Sequence, residues 1–217
     1  MRHPNCFLDA RFNDNTKDLS GNGDFTVSTG SASYVDARGG RALNMGGSTA
    51  LSRPGNIKRS EMTIEIVFKL TSDAGNQCLI SDRDTAFDGT TVWANLPSAT
   101  ARRIVWDFGD GAASIARWNP SGGNYDLNTW VHVVLTRDDT IRRMYVNGVQ
   151  TETILAPGGI APGSGTTSIG SSGGGANLFS GELGRVRVYD QVFSASQIRR
   201  MYFTSQQPVR HFAVPVP

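Results

Sequence analysis

The stretch that most limits what this chain can fold into is Leu127–Val149, LNTWVHVVLTRDDTIRRMYVNGV. Within Trp130–Arg137, Val131, Val133 and Leu135 point one way and Trp130, His132, Val134 and Thr136 the other, as a half-buried strand requires. A second strand, Ile141–Asn147, follows through Asp138-Asp139-Thr140. Asn147-Gly148 then supplies the dipeptide that best tolerates positive φ at both central positions of a tight turn. Two reversals within about twenty residues predict an antiparallel sheet.

The rest of the chain can be laid around this hairpin. Cys6–Phe12 alternates and opens the domain, with Cys6, Leu8 and Ala10 opposite Phe7, Asp9 and Arg11. Turns at Asn13–Thr16 and Asp18–Gly23 use residues that accept unusual φ. Short strands are expected at Phe25–Val27, Ala32–Val35, Ala42–Met45 and Thr49–Ser52. Glu61–Leu70 carries Met62, Ile64, Ile66, Phe68 and Leu70 on one face, the mark of a sheet packed on a core. Gln77–Ser81, Thr91–Asn95, Arg103–Phe108 and Ser114–Trp118 follow, separated by Asp/Gly turns, and Val149–Leu155 extends the central hairpin. Pro157–Asn177 is rich in Gly, Ser and Pro, so it reads as surface loop around one strand, Thr167–Ile169.

Glu182–Tyr189 sets Val186 and Val188 against Arg185, Arg187 and Tyr189. A helix should start where Ser194 caps the first turn, Gln197 completes a capping box and Phe193 staples to Ile198, and it should end near Phe203. Gln206–Pro217 contains Pro208, Pro215 and Pro217 and reads as an extended carboxy-terminal arm. Many short strands, one short helix and no repeat predict an all-β fold of two antiparallel sheets packed face to face. The expected organisation is one domain, 1–205, followed by the arm, 206–217.

A chain of 217 residues suits one large β domain. Its net charge of +2 gives no reason to expect binding to nucleic acid. No apolar run has the length of a signal peptide or a membrane span, so no membrane insertion is expected. Cys6 and Cys78, the only cysteines, favour free buried thiols over a crosslink.

The segments DLSGNGDF, GGRALNMGGS, EMTIEIVFKL, NQCLISDRD, NTWVHVVLTRDDTIRRMYVNGV, SIGSS and FSGELGRVRVYDQVFSASQIRRMY run in order from Asp18 to Tyr202. Their succession resembles the laminin-G-like jelly roll of the concanavalin A-like lectin/glucanase superfamily. The resemblance implies a jelly roll of two curved sheets and no single activity.

It also raises specific residues. Glycoside hydrolases of this superfamily carry acids on a concave-sheet strand, which points to Glu61 and Glu65; but EMTIE lacks the aspartate those enzymes place between their glutamates. The plainer reading is two solvated side chains on an exposed strand face. His132 occupies the position of a structural histidine in the family. Related domains often bind calcium, for which Asp18 could contribute a ligand. Gly184-Arg185 stands where the family has acidic residues, so no cofactor and no metal is expected. Trp93, Trp106, Trp118 and Tyr125 lie where family lectins build a sugar-facing surface, with Asp107, Asp110 and Asn119 near in sequence. Against this, at least two of these tryptophans are expected to fill the core. The pairs Arg102-Arg103, Arg142-Arg143 and Arg199-Arg200 read as solvated charge.

With no export signal, no catalytic set and a proline-containing arm, the expected function is a non-enzymatic structural or assembly module. Its expected setting is a virion, as a phage capsid decoration or tail-associated protein, with the cytoplasm as the alternative. The partners expected are proteins or further copies of the chain, including capsid protein, met through Pro208, Val209, Arg210 and Phe212 of the arm. The alternative is a carbohydrate-binding, lectin-like module with a glycan ligand. A glycoside hydrolase is the reading least favoured.

Overall fold

A computed structural model describes residues 5–37, 40–83, 88–96, 102–109, 115–155, 163, 165–173 and 175–206. Its strands begin with β1 (Cys6–Ala10), β2 (Thr26–Thr29), β3 (Ser33–Ala37), β4 (Gly40–Asn44) and β5 (Ala50–Pro54). They continue with β6 (Met62–Leu70), β7 (Gln77–Ser81), β8 (Thr90–Asn95), β9 (Val105–Gly109) and β10 (Ile115–Trp118). The last are β11 (Trp130–Arg137), β12 (Ile141–Val146), β13 (Val149–Leu155), β14 (Thr166–Ile169) and β15 (Gly181–Tyr189), before α1 (Ala195–Ser205). The arm expected over 206–217 lies, beyond Gln206, outside the described residues.

Two antiparallel sheets form the sandwich. The eight-stranded sheet runs β13-β12-β11-β6-β15-β4-β3, with β1 added alongside β15; the seven-stranded sheet runs β10-β9-β8-β7-β14-β5-β2. Asn147 and Gly148 have φ of 50° and 78°, the two positive values that their turn between β12 and β13 needs. The Asn147 side chain accepts from the His132 backbone N–H at 3.0 Å, which holds this turn against β11.

The core forms because period-two alternation gives each sheet an apolar inner face. In the seven-stranded sheet the register aligns Val27, Leu51, Ile169, Ile80, Val92, Trp106 and Trp118 in one row across all the strands. From Leu51 to Trp118 this row belongs to the core between the sheets. Across from it, Ile64, Ile66 and Phe68 of β6 and Val131, Val133 and Leu135 of β11 complete the same core.

The alternation read for the opening strand breaks at one point. Pairing with β15 slips between Cys6 and Leu8, so Leu8 and Ala10 enter the main core. Cys6 instead joins Val134, Tyr145, Tyr189, Phe193 and Ile198 beneath α1, on the outside of the eight-stranded sheet. Cys78 packs with Trp93, Leu96 and Val105 on the outside of the other sheet. Both thiols are free and buried.

The helix begins as its residues require. Ser194 accepts from the Gln197 N–H, and the Gln197 side chain accepts from the Ser194 N–H at 2.8 Å. Phe193 and Ile198 are buried together as the staple. We expect Ser194→Ala to cost about 1 kcal/mol, seen in thermal unfolding as a fall of roughly 2–4 °C.

Candidate functional site

On the outer face of the eight-stranded sheet, the register sets Asp9 opposite Arg187 and Arg187 opposite Glu65. Glu65 is fully buried, which corrects the expectation that it is solvated; Glu61 is exposed. Around the Glu65 carboxylate, His132 Nε2 lies 3.2 Å and Arg185 Nη1 3.4 Å from Oε1. Arg187 Nη1 lies 3.3 Å from Oε2, and the Tyr189 hydroxyl donates to the same atom at 3.5 Å. Asp9 accepts from Arg187 Nε at 2.7 Å and from Arg11 Nη2 at 2.7 Å.

Burial alone would raise the Glu65 carboxyl pKa. The bond to His132 and the charges of Arg185 and Arg187 outweigh it and hold the group well below the usual carboxylate range. Asp9 shows the same balance, with Arg11 and Arg187 overcoming its burial. Glu65 is therefore ionised at neutral pH and has no proton to donate, whereas a glycosidic acid needs a raised pKa. Arg185, which stands where the resemblance leads one to expect an acidic residue, partners Glu65 through its guanidinium.

Asp18 is likewise committed. Its Oδ1 accepts from the backbone N–H groups of Asp9 and Ser20, both at 2.8 Å, and its Oδ2 meets Arg53 Nη1 at 2.5 Å. A buried guanidinium supplies the positive charge at this carboxylate. Among the described residues, no group of three His, Cys, Asp or Glu side chains is arranged to hold a metal.

The second surface is the outer face of the seven-stranded sheet. Here the register aligns Thr26, Ser52, Ser168, Ser81, Thr91, Asp107 and Arg117, a polar row alternating with the apolar row inside. Asp107 is buried and accepts two bonds from Arg117, both at 2.9 Å, and one from Trp93 Nε1 at 2.8 Å. At the β9–β10 edge, Arg103 bonds Asn124 at 3.1 Å and Asn119 at 3.4 Å. Both asparagines and Arg117 are exposed.

The four aromatic candidates do not share a surface. Trp106 and Trp118 face the core, their ring centroids 6.3 Å apart, where the plainer reading put at least two of the tryptophans. Trp93 lies on the outer face but is buried against Cys78 and Val105. Tyr125 packs edge-on to Phe68 at 5.2 Å and donates its hydroxyl to the Ala94 carbonyl. Pro208, Val209, Arg210 and Phe212 lie outside the described residues.

Arginines also depart from the solvated reading. Arg199 and Arg200 are exposed, but Arg142 is buried with its guanidinium 3.6 Å from the centre of the Phe108 ring. Burial, with the charge of Arg137 nearby, pulls the Arg142 pKa down to about 10.

Two stacked antiparallel sheets, closed over one apolar core and followed by a short helix, define a jelly-roll sandwich. The chain belongs to the concanavalin A-like lectin/glucanases superfamily, whose laminin-G-type family model matches residues 39–199. Among solved structures it is similar to domain 4 of AbnA, an extracellular arabinanase of Geobacillus stearothermophilus, in complex with arabinotriose. That match has a TM-score of 0.75 at 16% identity and covers 91% of this chain and 98% of the other. A botulinum neurotoxin type C structure, whose cell entry depends on two ganglioside molecules, matches with a TM-score of 0.70 at 15% identity, covering 93% of this chain and 51% of the other. The binding domain of botulinum neurotoxin DC in complex with rat synaptotagmin II also matches, with a TM-score of 0.70 at 15% identity over 93% and 52%. The chain thus spans about half the length of the toxin structures, and at these identities the likeness is one of fold. No curated protein sequence matches.

Proposed function

We propose that this chain is a non-catalytic recognition module that binds a glycan on the outer face of its seven-stranded sheet. The observation that carries this reading is that Glu65, Asp9 and Asp107 are each tied to arginine, leaving none of them available as acid, base or nucleophile. The binding edge is Arg103, Arg117, Asn119 and Asn124. Their guanidinium and amide groups match the alternating donors and acceptors of sugar hydroxyls, with Asp107 fixing Arg117 in place. A likeness in fold to a domain solved with arabinotriose supports the same reading.

Titration calorimetry with arabinotriose, followed by a glycan array, tests it. The Asn119→Ala, Arg103→Ala double variant should keep the unfolding midpoint and lose about tenfold or more in affinity. No saturable binding to any glycan would overturn the reading.

The setting we propose is an assembly with other proteins, such as a virus particle carrying the domain as a decoration or tail-associated component. The support is the sequence, with its proline-containing arm, and the fold shared with a domain that also binds a protein. Electron microscopy of purified particles should find the domain in regular positions; a monomer that never co-purifies with particles would retire this setting.

A further inference from the structure

Between the eight-stranded sheet and α1 lies a cavity of about 220 Å³ that neither the glycan-binding edge nor the core accounts for. Glu65, Arg185 and Arg187 line it from the sheet, and Phe193, Arg200 and Met201 from α1 and the residues that lead into it.

Charge is unbalanced around it. Asp9 and Glu65 bring two negative charges, while Arg11, Arg185, Arg187 and Arg200 bring four positive ones, leaving 4 − 2 = +2 from the carboxylates and guanidinium groups. Glu65 is saturated by its four partners and Asp9 by two arginines. Two donors are left over. Arg185 keeps 23% of its side-chain surface exposed, and Arg200 has no ion pair with a described residue. A cavity with this surplus of guanidinium charge favours an anionic acceptor that meets the exposed parts of these side chains.

The volume falls below the roughly 300–1,000 Å³ of drug-sized sites, so the occupant must be small. A planar guanidinium prefers a carboxylate, whose two oxygens match its fork. The wall of Phe193 and Met201 calls for an apolar body behind that group. We infer that the cavity under α1 binds a small organic carboxylate with a flat apolar body, its carboxylate held between Arg185 and Arg200. This site lies on the sheet opposite the glycan-binding edge and does not rest on the glycan reading.

Benzoate, its neutral analogue benzyl alcohol and inorganic phosphate are the probes, each titrated into the full chain by calorimetry and amide-shift NMR. Benzoate should saturate with one-to-one stoichiometry and shift the amides of Phe193–Met201. Arg200→Gln should weaken it about tenfold, the loss of one charge-assisted contact. Arg199→Gln, the same charge change on the same helix but outside the cavity, should leave affinity within about twofold, because a charge that makes no direct contact with the ligand acts only through screening solvent. Absence of saturation would overturn the inference. So would benzyl alcohol or phosphate binding as tightly as benzoate, or equal effects of the two arginine variants.

Discussion

Trp106→Ala should lower the unfolding free energy by about 4 kcal/mol, the cost of deleting a large aromatic ring from a packed core. Trp106 is fully buried in the inner row of the seven-stranded sheet, with the Phe108 ring centroid 4.4 Å away and that of Trp118 at 6.3 Å. Its Nε1 donates to Thr90 Oγ1 at 2.7 Å, and that hydroxyl donates in turn to the Asp107 carbonyl at 3.0 Å. Alanine leaves a void between two sheets whose backbones are fixed by their ladders, so little collapse can refill it. Urea unfolding of the purified variant is the measurement; a loss below about 1.5 kcal/mol would mean that the ring is not the packing centre described here. Any loss of glycan binding in this variant would report unfolding rather than a missing sugar contact, which is why the exposed edge residues are the better probes.

Glu65→Gln should destabilise by about 3 kcal/mol, as expected when one member of a buried ionic cluster is neutralised and the others keep their charge. The loss stays at the low end of that range because Arg185 and Arg187 keep 23% and 15% of their side-chain surface in water. The sign of the pH dependence follows from the direction of the shift. The folded carboxyl titrates below its ordinary value of 4.5, so its contribution is complete above that pH and is lost as the pH falls toward the depressed folded value. Asp9, also lowered, acts in the same sense below its ordinary value of 3.8. Urea midpoints measured from neutral pH down to pH 3 should fall for the wild type and fall less steeply for Glu65→Gln. Parallel curves would remove Glu65 from this role.

Much of the fold is legible in local pattern. Val131, Val133 and Leu135 announce their buried face by alternation alone, and Ser194 with Gln197 announces the helix start by the bonds those side chains can reach. The environment of Glu65 is legible only in part. Alternation correctly sets it on the face opposite Ile64 and Ile66, and it sets Arg185, Arg187 and Tyr189 together on theirs. What alternation cannot carry is that β6 and β15 are neighbours, nor that α1 roofs the face they share, because those contacts join residues more than a hundred positions apart. The Asp18–Arg53 pair, 35 positions apart, escapes because alternation does not say which segments the fold brings together. Trp93 illustrates a different limit: its face is readable, but its burial depends on what lies above that face.

The two thiols carry a consequence of their own. Cys6 and Cys78 lie on the outer sides of opposite sheets. Sheet planes about 10 Å apart exceed the roughly 7 Å that a disulfide can bridge. The native domain cannot crosslink to itself, so its maturation calls for no oxidant, and reductant should neither loosen nor tighten it.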